Sequence, residues 1–159
     1  MVITQKMVIQ KNKKMIPTYE YIQLANTIDT RRFPMKPIVK KSWGYEKWFE
    51  NNDLYCGKLL FVEHNKWSSK GKFHYHKIKD ETFFVIEGSL RLEFIAGNDV
   101  ISTLDLEEMQ SARIFPETKH RFTSISENGC KFIEVSTTHS DEDSYRCEWD
   151  KEKGEWIDA

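Results

Sequence analysis

No apolar run in this chain approaches the length of a transmembrane helix, and its first residues, MVITQKMVIQKNKK, lack the apolar core and small-residue cleavage site of a secretory signal. Both absences lead us to expect a cytoplasmic protein with no membrane partner. Neither sign of charge dominates. The 24 Lys and Arg face 25 Asp and Glu, for a net charge of -1, which argues against a general nucleic-acid or acidic-membrane partner but leaves local basic clusters for a small anion. Cysteine is scarce: Cys56, Cys130 and Cys147 are odd in number and show no C-x-x-C spacing, so neither a disulfide framework nor a thiolate zinc site is indicated. Free, partly buried thiols are expected instead. A long helical period is also missing after residue 40, which favours an all-β barrel or sandwich over any α/β arrangement. With 159 residues and 39% hydrophobic content, the chain has material for one core.

What the chain does have is concentrated in residues 71–88, GKFHYHKIKDETFFVIEG. His74 and His76 are separated by one residue, so on an extended strand both imidazoles point to the same side. That is half of a tetrahedral metal site. Lys77 to Asp80 form a polar break, after which Glu81 opens a second strand from which its carboxylate can reach the same ion. Gly88 ends that strand and permits a tight turn into Leu90 to Ile95, which is expected to pair back on it. The missing ligand should be a further histidine, and His120, four positions after Pro116, can supply it. Three neutral imidazoles and one carboxylate suit a single divalent ion, with Zn, Mn, Fe, Ni and Co all acceptable.

The remaining strands read as Gly57 to His64, Val100 to Leu106, Ala112 to Phe115, His120 to Ile125 and Lys131 to Ser136, with a turn at Ala96 to Asp99. Glu127-Asn128-Gly129 is a hairpin signal between the last two strands. Phe83 and Val85 share a face with Glu81, while Phe84 and Ile86 occupy the other, so this strand is expected to lie between the barrel interior and a second layer. Residues 1–40 have a different character. Met7 to Ile9 reads as a short strand, Thr18 to Ile28 as a short helix capped by Thr18, and Pro34 and Pro37 mark an extended connector. This N-terminal extension reads as the arm of a homodimer that covers an open barrel edge, with a loose leader or a strand packed on its own barrel as the alternative, and residues 41–159 are expected to form the barrel and its C-terminal tail. Lys70 and Lys72 read as a solvated basic turn, with a phosphate contact as the alternative, and Trp43, Trp48 and Trp67 as core or rim packing.

The pattern His74-x-His76, four residues, Glu81, six residues, Gly88 resembles the first signature motif of the cupins, and Pro116-x3-His120 resembles the core of their second. This resemblance implies a small double-stranded β-helix, or jelly-roll, barrel that binds a divalent metal through His74, His76, Glu81 and His120. Within the cupins the chain is most similar to the type II mannose-6-phosphate isomerase domain. Lys41-Ser42-Trp43-Gly44-Tyr45-Glu46 resembles that family's opening segment, with Ser42 where proline is usual. Ser111-x2-Ile114-x-Pro116-x3-His120-Arg121 resembles its second motif, with Glu117 where glycine is usual, and Ile133-Glu134-Val135 with Asp143-x2-Arg146-x-Glu148-x-Asp150 resembles its tail. One departure concerns the substrate: that family commonly places two residues between the second histidine and the glutamate, whereas four separate His76 from Glu81.

The resemblance implies an aldose-ketose isomerase whose small-molecule substrate is a sugar or sugar phosphate. A metal with open positions can hold adjacent substrate oxygens while a general base moves a proton between neighbouring carbons. Glu134 is the candidate catalytic group, with a side-chain direction that depends on strand register. Lys58 and Arg146 are the candidate substrate contacts for an anionic end. The alternatives are an iron-dependent dioxygenase and a non-catalytic metal- or sugar-binding cupin, because the fold serves more than one chemistry.

Overall fold

The structure is a computed structural model that describes residues 37–159. The strand, helix and dimer arm expected within residues 1–36 lie outside the described residues. From Val39 onward the chain forms twelve strands: β1 (Val39–Lys41), β2 (Gly44–Asn51), β3 (Cys56–Val62), β4 (Phe73–Tyr75), β5 (Glu81–Glu87), β6 (Leu90–Ala96), β7 (Val100–Leu106), β8 (Ser111–Ile114), β9 (His120–Ser124), β10 (Cys130–Ser136), β11 (Tyr145–Asp150) and β12 (Glu155–Asp158). They make two six-stranded antiparallel sheets, ordered β1-β2-β3-β10-β5-β8 and β12-β11-β4-β9-β6-β7. This is the expected all-β jelly roll.

Alternation along the central strands divides the interior into two ends. On β3 the inward side chains are Cys56, Lys58, Leu60 and Val62; on β10 they are Cys130, Phe132, Glu134 and Ser136; on β5 they are Glu81, Phe83 and Val85. The register sets Glu134 opposite both Lys58 and Phe83, and Ser136 opposite Glu81. The polar members therefore collect at one end, and Leu60, Val62, Val85 and Phe132 at the other. Phe83, Phe122 and Phe132 meet at centroid distances of 5.1–5.6 Å, in edge-on and tilted arrangements that aromatic quadrupoles favour. Each such buried ring removes enough apolar surface from water to contribute about 1.5–3 kcal/mol. The apolar end thereby holds rigid the strands that carry the polar end.

Four expectations require correction. Gly88, at φ +82°, does turn the chain after β5, but β6 joins the opposite sheet instead of pairing back on β5. The Asn128-Gly129 turn likewise forms, with Gly129 at φ +83° donating its N–H to Ser126 O, yet it carries the chain from β9 in one sheet to β10 in the other. Turn chemistry dictates a reversal of direction, and whether the next strand pairs or crosses is decided by which faces must be buried. Among the described residues no second layer covers the outer face of β5: Phe84 is half-buried and Ile86 is 40% exposed. All three cysteines are free and fully buried rather than partly so.

Candidate metal centre

The first sheet supplies Glu81 and the second supplies the histidines. His74 on β4 lies directly opposite His120 on β9, and their rings are 4.2 Å apart between centroids. His76 follows β4 immediately, with its ring 5.5 Å from that of His74 and 6.2 Å from that of His120. From across the barrel, Glu81 Oε1 comes within 3.0 Å of His120 Nε2 and 3.7 Å of His76 Nε2. The four residues whose spacing predicted a common site are thus brought to one place in the polar end. His76, Glu81 and His120 are buried, and His74 is half-buried.

Neighbouring groups fix how the imidazoles present themselves. His120 Nδ1 donates to Thr118 O at 2.9 Å and His76 Nδ1 donates to Asp143 O, tautomers that leave both Nε2 lone pairs facing inward. His74 Nδ1 lies 3.3 Å from Ser69 Oγ. Burial pushes the His74 and His76 imidazoles below the usual histidine range, well below it for His74, so both are neutral as ligands must be. Burial alone would raise Glu81, but the Lys79 ammonium beside it draws its carboxyl below the usual carboxylate range.

Two atoms here are anomalous. Glu81 Oε1 and His120 Nε2 are buried and have no hydrogen-bond partner among the described residues, although they face one another. A buried acceptor without a partner loses its hydration for nothing, at a cost of about 1–3 kcal/mol. A cation between them would satisfy both. Donors around one ion at about 2.1 Å stand about 3.0–3.4 Å apart, close to the 3.0 and 3.7 Å separations found. The residues fit a divalent ion by this test. Among the described residues, however, no three His, Cys, Asp or Glu side chains already stand in a coordinating arrangement.

Beside this cluster lies a buried ionic network that the sequence did not reveal as a unit. Lys79 Nζ lies 2.5 Å from Glu81 Oε2 and 2.6 Å from Glu134 Oε1. Lys58 Nζ is 3.0 Å from the same Glu134 oxygen, 3.1 Å from His139 Nδ1 and 4.4 Å from the centre of the Trp48 ring. Glu134 would be raised by burial, but the ammoniums of Lys79 and Lys58 outweigh this and keep it ionised. Lys79 is disfavoured as a cation by burial, yet Glu134 and Glu81 lift it above the ordinary lysine value. Asp143 pins the loop that delivers Lys79, accepting the backbone N–H groups of Lys77, Ile78 and Lys79 on its carboxylate. Lys79 and His139 were missed because a lysine in a polar break and a histidine before an acidic turn both read as solvated. The one signal for Lys79 was its position two residues before Glu81, on the same side of an extended chain.

A cavity of about 590 Å³ opens onto this arrangement, and His74, His76, Glu81, Glu134, Lys58 and Arg146 all line it. Arg146, opposite His74 in the β4–β11 register, donates to Ser144 Oγ at 2.7 Å. Lys70 and Lys72 also reach the cavity wall, with Lys72 paired to Glu148 at 3.2 Å. Trp43 is buried in the core, edge-on to Phe122, and Trp67 carries the Arg121 guanidinium.

A two-sheet jelly roll with a His-rich cluster inside one end is the architecture of a cupin. Residues 61–136 match the family Cupin_2, described as a cupin domain. No curated protein matches it. Among solved structures it is similar to the capsular polysaccharide assembling protein CapF from Staphylococcus aureus, at 17% identity and a TM-score of 0.62, over 74% of this chain and 32% of that one. It is also similar to the oxalate decarboxylase OxdC of Bacillus subtilis (14%, TM-score 0.60, 69% and 30%) and to KdgF from Halomonas sp. (12%, TM-score 0.56, 67% and 90%). The Bacillus subtilis oxalate decarboxylase has Mn(II) centres. At these identities the likeness shows the fold, and the chain spans about a third of the length of CapF and of the decarboxylase. No helix among the described residues is long and apolar enough to cross a membrane.

Proposed function

We propose that this chain is a metal-dependent cupin isomerase that interconverts the aldose and ketose forms of a sugar or sugar phosphate, with His74, His76, Glu81 and His120 as the ligands of one divalent ion. The ion, when bound, supplies Lewis acidity toward two adjacent substrate oxygens. The observation that carries the reading is the placement of Glu134. It is an ionised carboxylate inside the cavity, separated from Glu81 by a single ammonium, and both lysines that hold it contact Oε1. Oε2 is left to accept a proton from one substrate carbon and return it to the next. A base held on one oxygen by two fixed cations keeps its other oxygen in place, and such positioning is a large part of what an isomerase needs.

Arg146 is the proposed contact for an anionic end of the substrate, since it lies on the cavity wall beside His74. Lys58 supports the same chemistry differently: its ammonium is held between Glu134 and His139, so it fixes the base. The test is a screen of phosphorylated and free aldoses for conversion to ketoses by the metal-loaded protein, alongside Glu134→Gln and Arg146→Ala variants. Conversion that is lost in Glu134→Gln with metal retained, and weakened in Arg146→Ala chiefly for phosphorylated substrates, supports the proposal. Oxygen uptake by an iron-loaded sample, or ligand-induced stabilisation without turnover of any aldose, would replace it with a dioxygenase or a binding protein respectively.

A further inference from the structure

The position of Lys79 has a consequence for how Glu81 can act. Lysine is among the residues least often buried, and burial of its ammonium is strongly unfavourable unless opposite charges are held against it. Lys79 is nevertheless 4% exposed, next to Ile78, which is 78% exposed. The loop is set so that the apolar side chain faces solvent and the charged one faces the interior, the reverse of the usual preference. The carboxylate of Asp143 imposes this by holding the N–H groups of three consecutive residues, Lys77, Ile78 and Lys79, at 2.8–3.2 Å. Inside, the ammonium is caught between Glu81 Oε2 and Glu134 Oε1, and Glu134 is itself held by Lys58.

This leaves the two oxygens of Glu81 in different circumstances. Oε2 is occupied by Lys79, while Oε1 is buried, unpartnered and turned to the Nε2 atoms of His120 and His76. We infer that Lys79 is a positioning residue that clamps Glu81 so that only Oε1 is offered to a cation, making Glu81 a one-oxygen ligand in a fixed direction. The inference rests on the metal reading proposed above and adds the residue that controls it. Two effects of Lys79 on a bound cation oppose each other. As a nearby positive charge it repels the ion, so its removal would tighten binding if charge were all that mattered. As a clamp it holds the ligand in place, and loss of a group that orients a ligand weakens binding, typically by about 10- to 100-fold.

The sign of the change in affinity therefore separates the two roles. Mn(II) binding is titrated in the wild type, in Lys79→Met and in Lys79→Met/Glu134→Gln, and the absorption spectrum of each protein loaded with Co(II) is recorded. The double variant removes one charge of each sign, so it keeps the balance of the buried cluster if the single variant folds poorly. We expect Mn(II) to bind both variants about 10- to 100-fold more weakly, and their Co(II) spectra to differ from the wild type as Glu81 gains freedom to use either or both oxygens. Affinity equal to or tighter than wild type in the variants, with an unchanged Co(II) spectrum, overturns the inference while leaving the metal site intact. A wild type that binds neither ion overturns the metal reading itself, and the clamp with it.

Discussion

Replacing Asp143 with alanine should loosen the loop between β4 and β5, which carries His76 and Lys79 on the way to Glu81. The Asp143 carboxylate accepts three backbone N–H groups, from Lys77 at 2.8 Å, Ile78 at 3.2 Å and Lys79 at 3.0 Å. The first two amides are exposed and can turn to water once the carboxylate is gone, so their loss is discounted. The third is partly buried, and a hydrogen bond to a charged group is worth about 1.5–3 kcal/mol. The expected loss is about 1.5–3 kcal/mol, or a fall of about 3–12 °C in Tm for a chain of this size. Asp143→Asn keeps an oxygen acceptor without the charge and should lose less. The effect also has a defined pH dependence. Burial would raise the Asp143 carboxyl, but the N–H groups of Lys77, Lys79 and Ile78 outweigh it and hold the carboxyl below its ordinary value of 3.8. A carboxylate lowered in the folded state stabilises fully above its unfolded value and ceases to do so as pH falls through the folded one. The stability gap between wild type and Asp143→Ala is therefore constant near neutrality and narrows below about pH 4. Urea unfolding at a series of pH values measures it. A gap under about 0.5 kcal/mol at neutral pH, within the range of ordinary surface substitutions, or one that widens in acid, would refute the reasoning.

Further outcomes are expected, the last of them from the sequence of the N-terminal extension alone. Gly88→Ala should destabilise by at least about 1–2 kcal/mol, because φ is +82° and an added Cβ would lie 2.5 Å from Gly129 O; a melt equal to wild type would contradict the crossing geometry. Burial pushes the Cys130 thiol up to about 12 and the Cys147 thiol up to about 11, so at pH 8 a thiol reagent should modify no cysteine until denaturant is added. Removal of residues 1–18 is expected to convert a dimer to a monomer in sedimentation, and a mass per particle unchanged by the truncation would exclude the arm.

The convergence of His74, His76, Glu81 and His120 was legible because its evidence is local. An H-x-H pair on a strand fixes two side chains to one face whatever the rest of the chain does, and the positions of Glu81 and His120 only had to lie on facing strands. Glu134 was less legible. Its direction hangs on the pairing of β10 with β3 and β5, and only the observed opposition to Lys58 and Phe83 turns it inward. Lys79 was illegible in principle from composition, since its burial depends on Asp143, 64 residues away, and on two carboxylates supplied by other strands. The turns at Gly88 and Gly129 were read correctly as turns and wrongly as hairpins, because a positive φ is a local requirement and sheet membership is not. The β11–β12 hairpin escaped notice altogether. In each strand a tryptophan follows a glutamate, and the cross-strand Trp149–Trp156 contact at 5.6 Å becomes visible only once the two are paired.

The central claim is that His74, His76, Glu81 and His120 form one metal site, and its most direct test is the metal content of protein purified without added metal, measured for the wild type and for His76→Ala and His120→Ala. A site whose ligand count is fixed loses much of its binding free energy when one ligand is removed. The account predicts one divalent ion per wild-type chain and far less than one in each variant, with all three proteins folded. Full retention of the metal by either variant would contradict it.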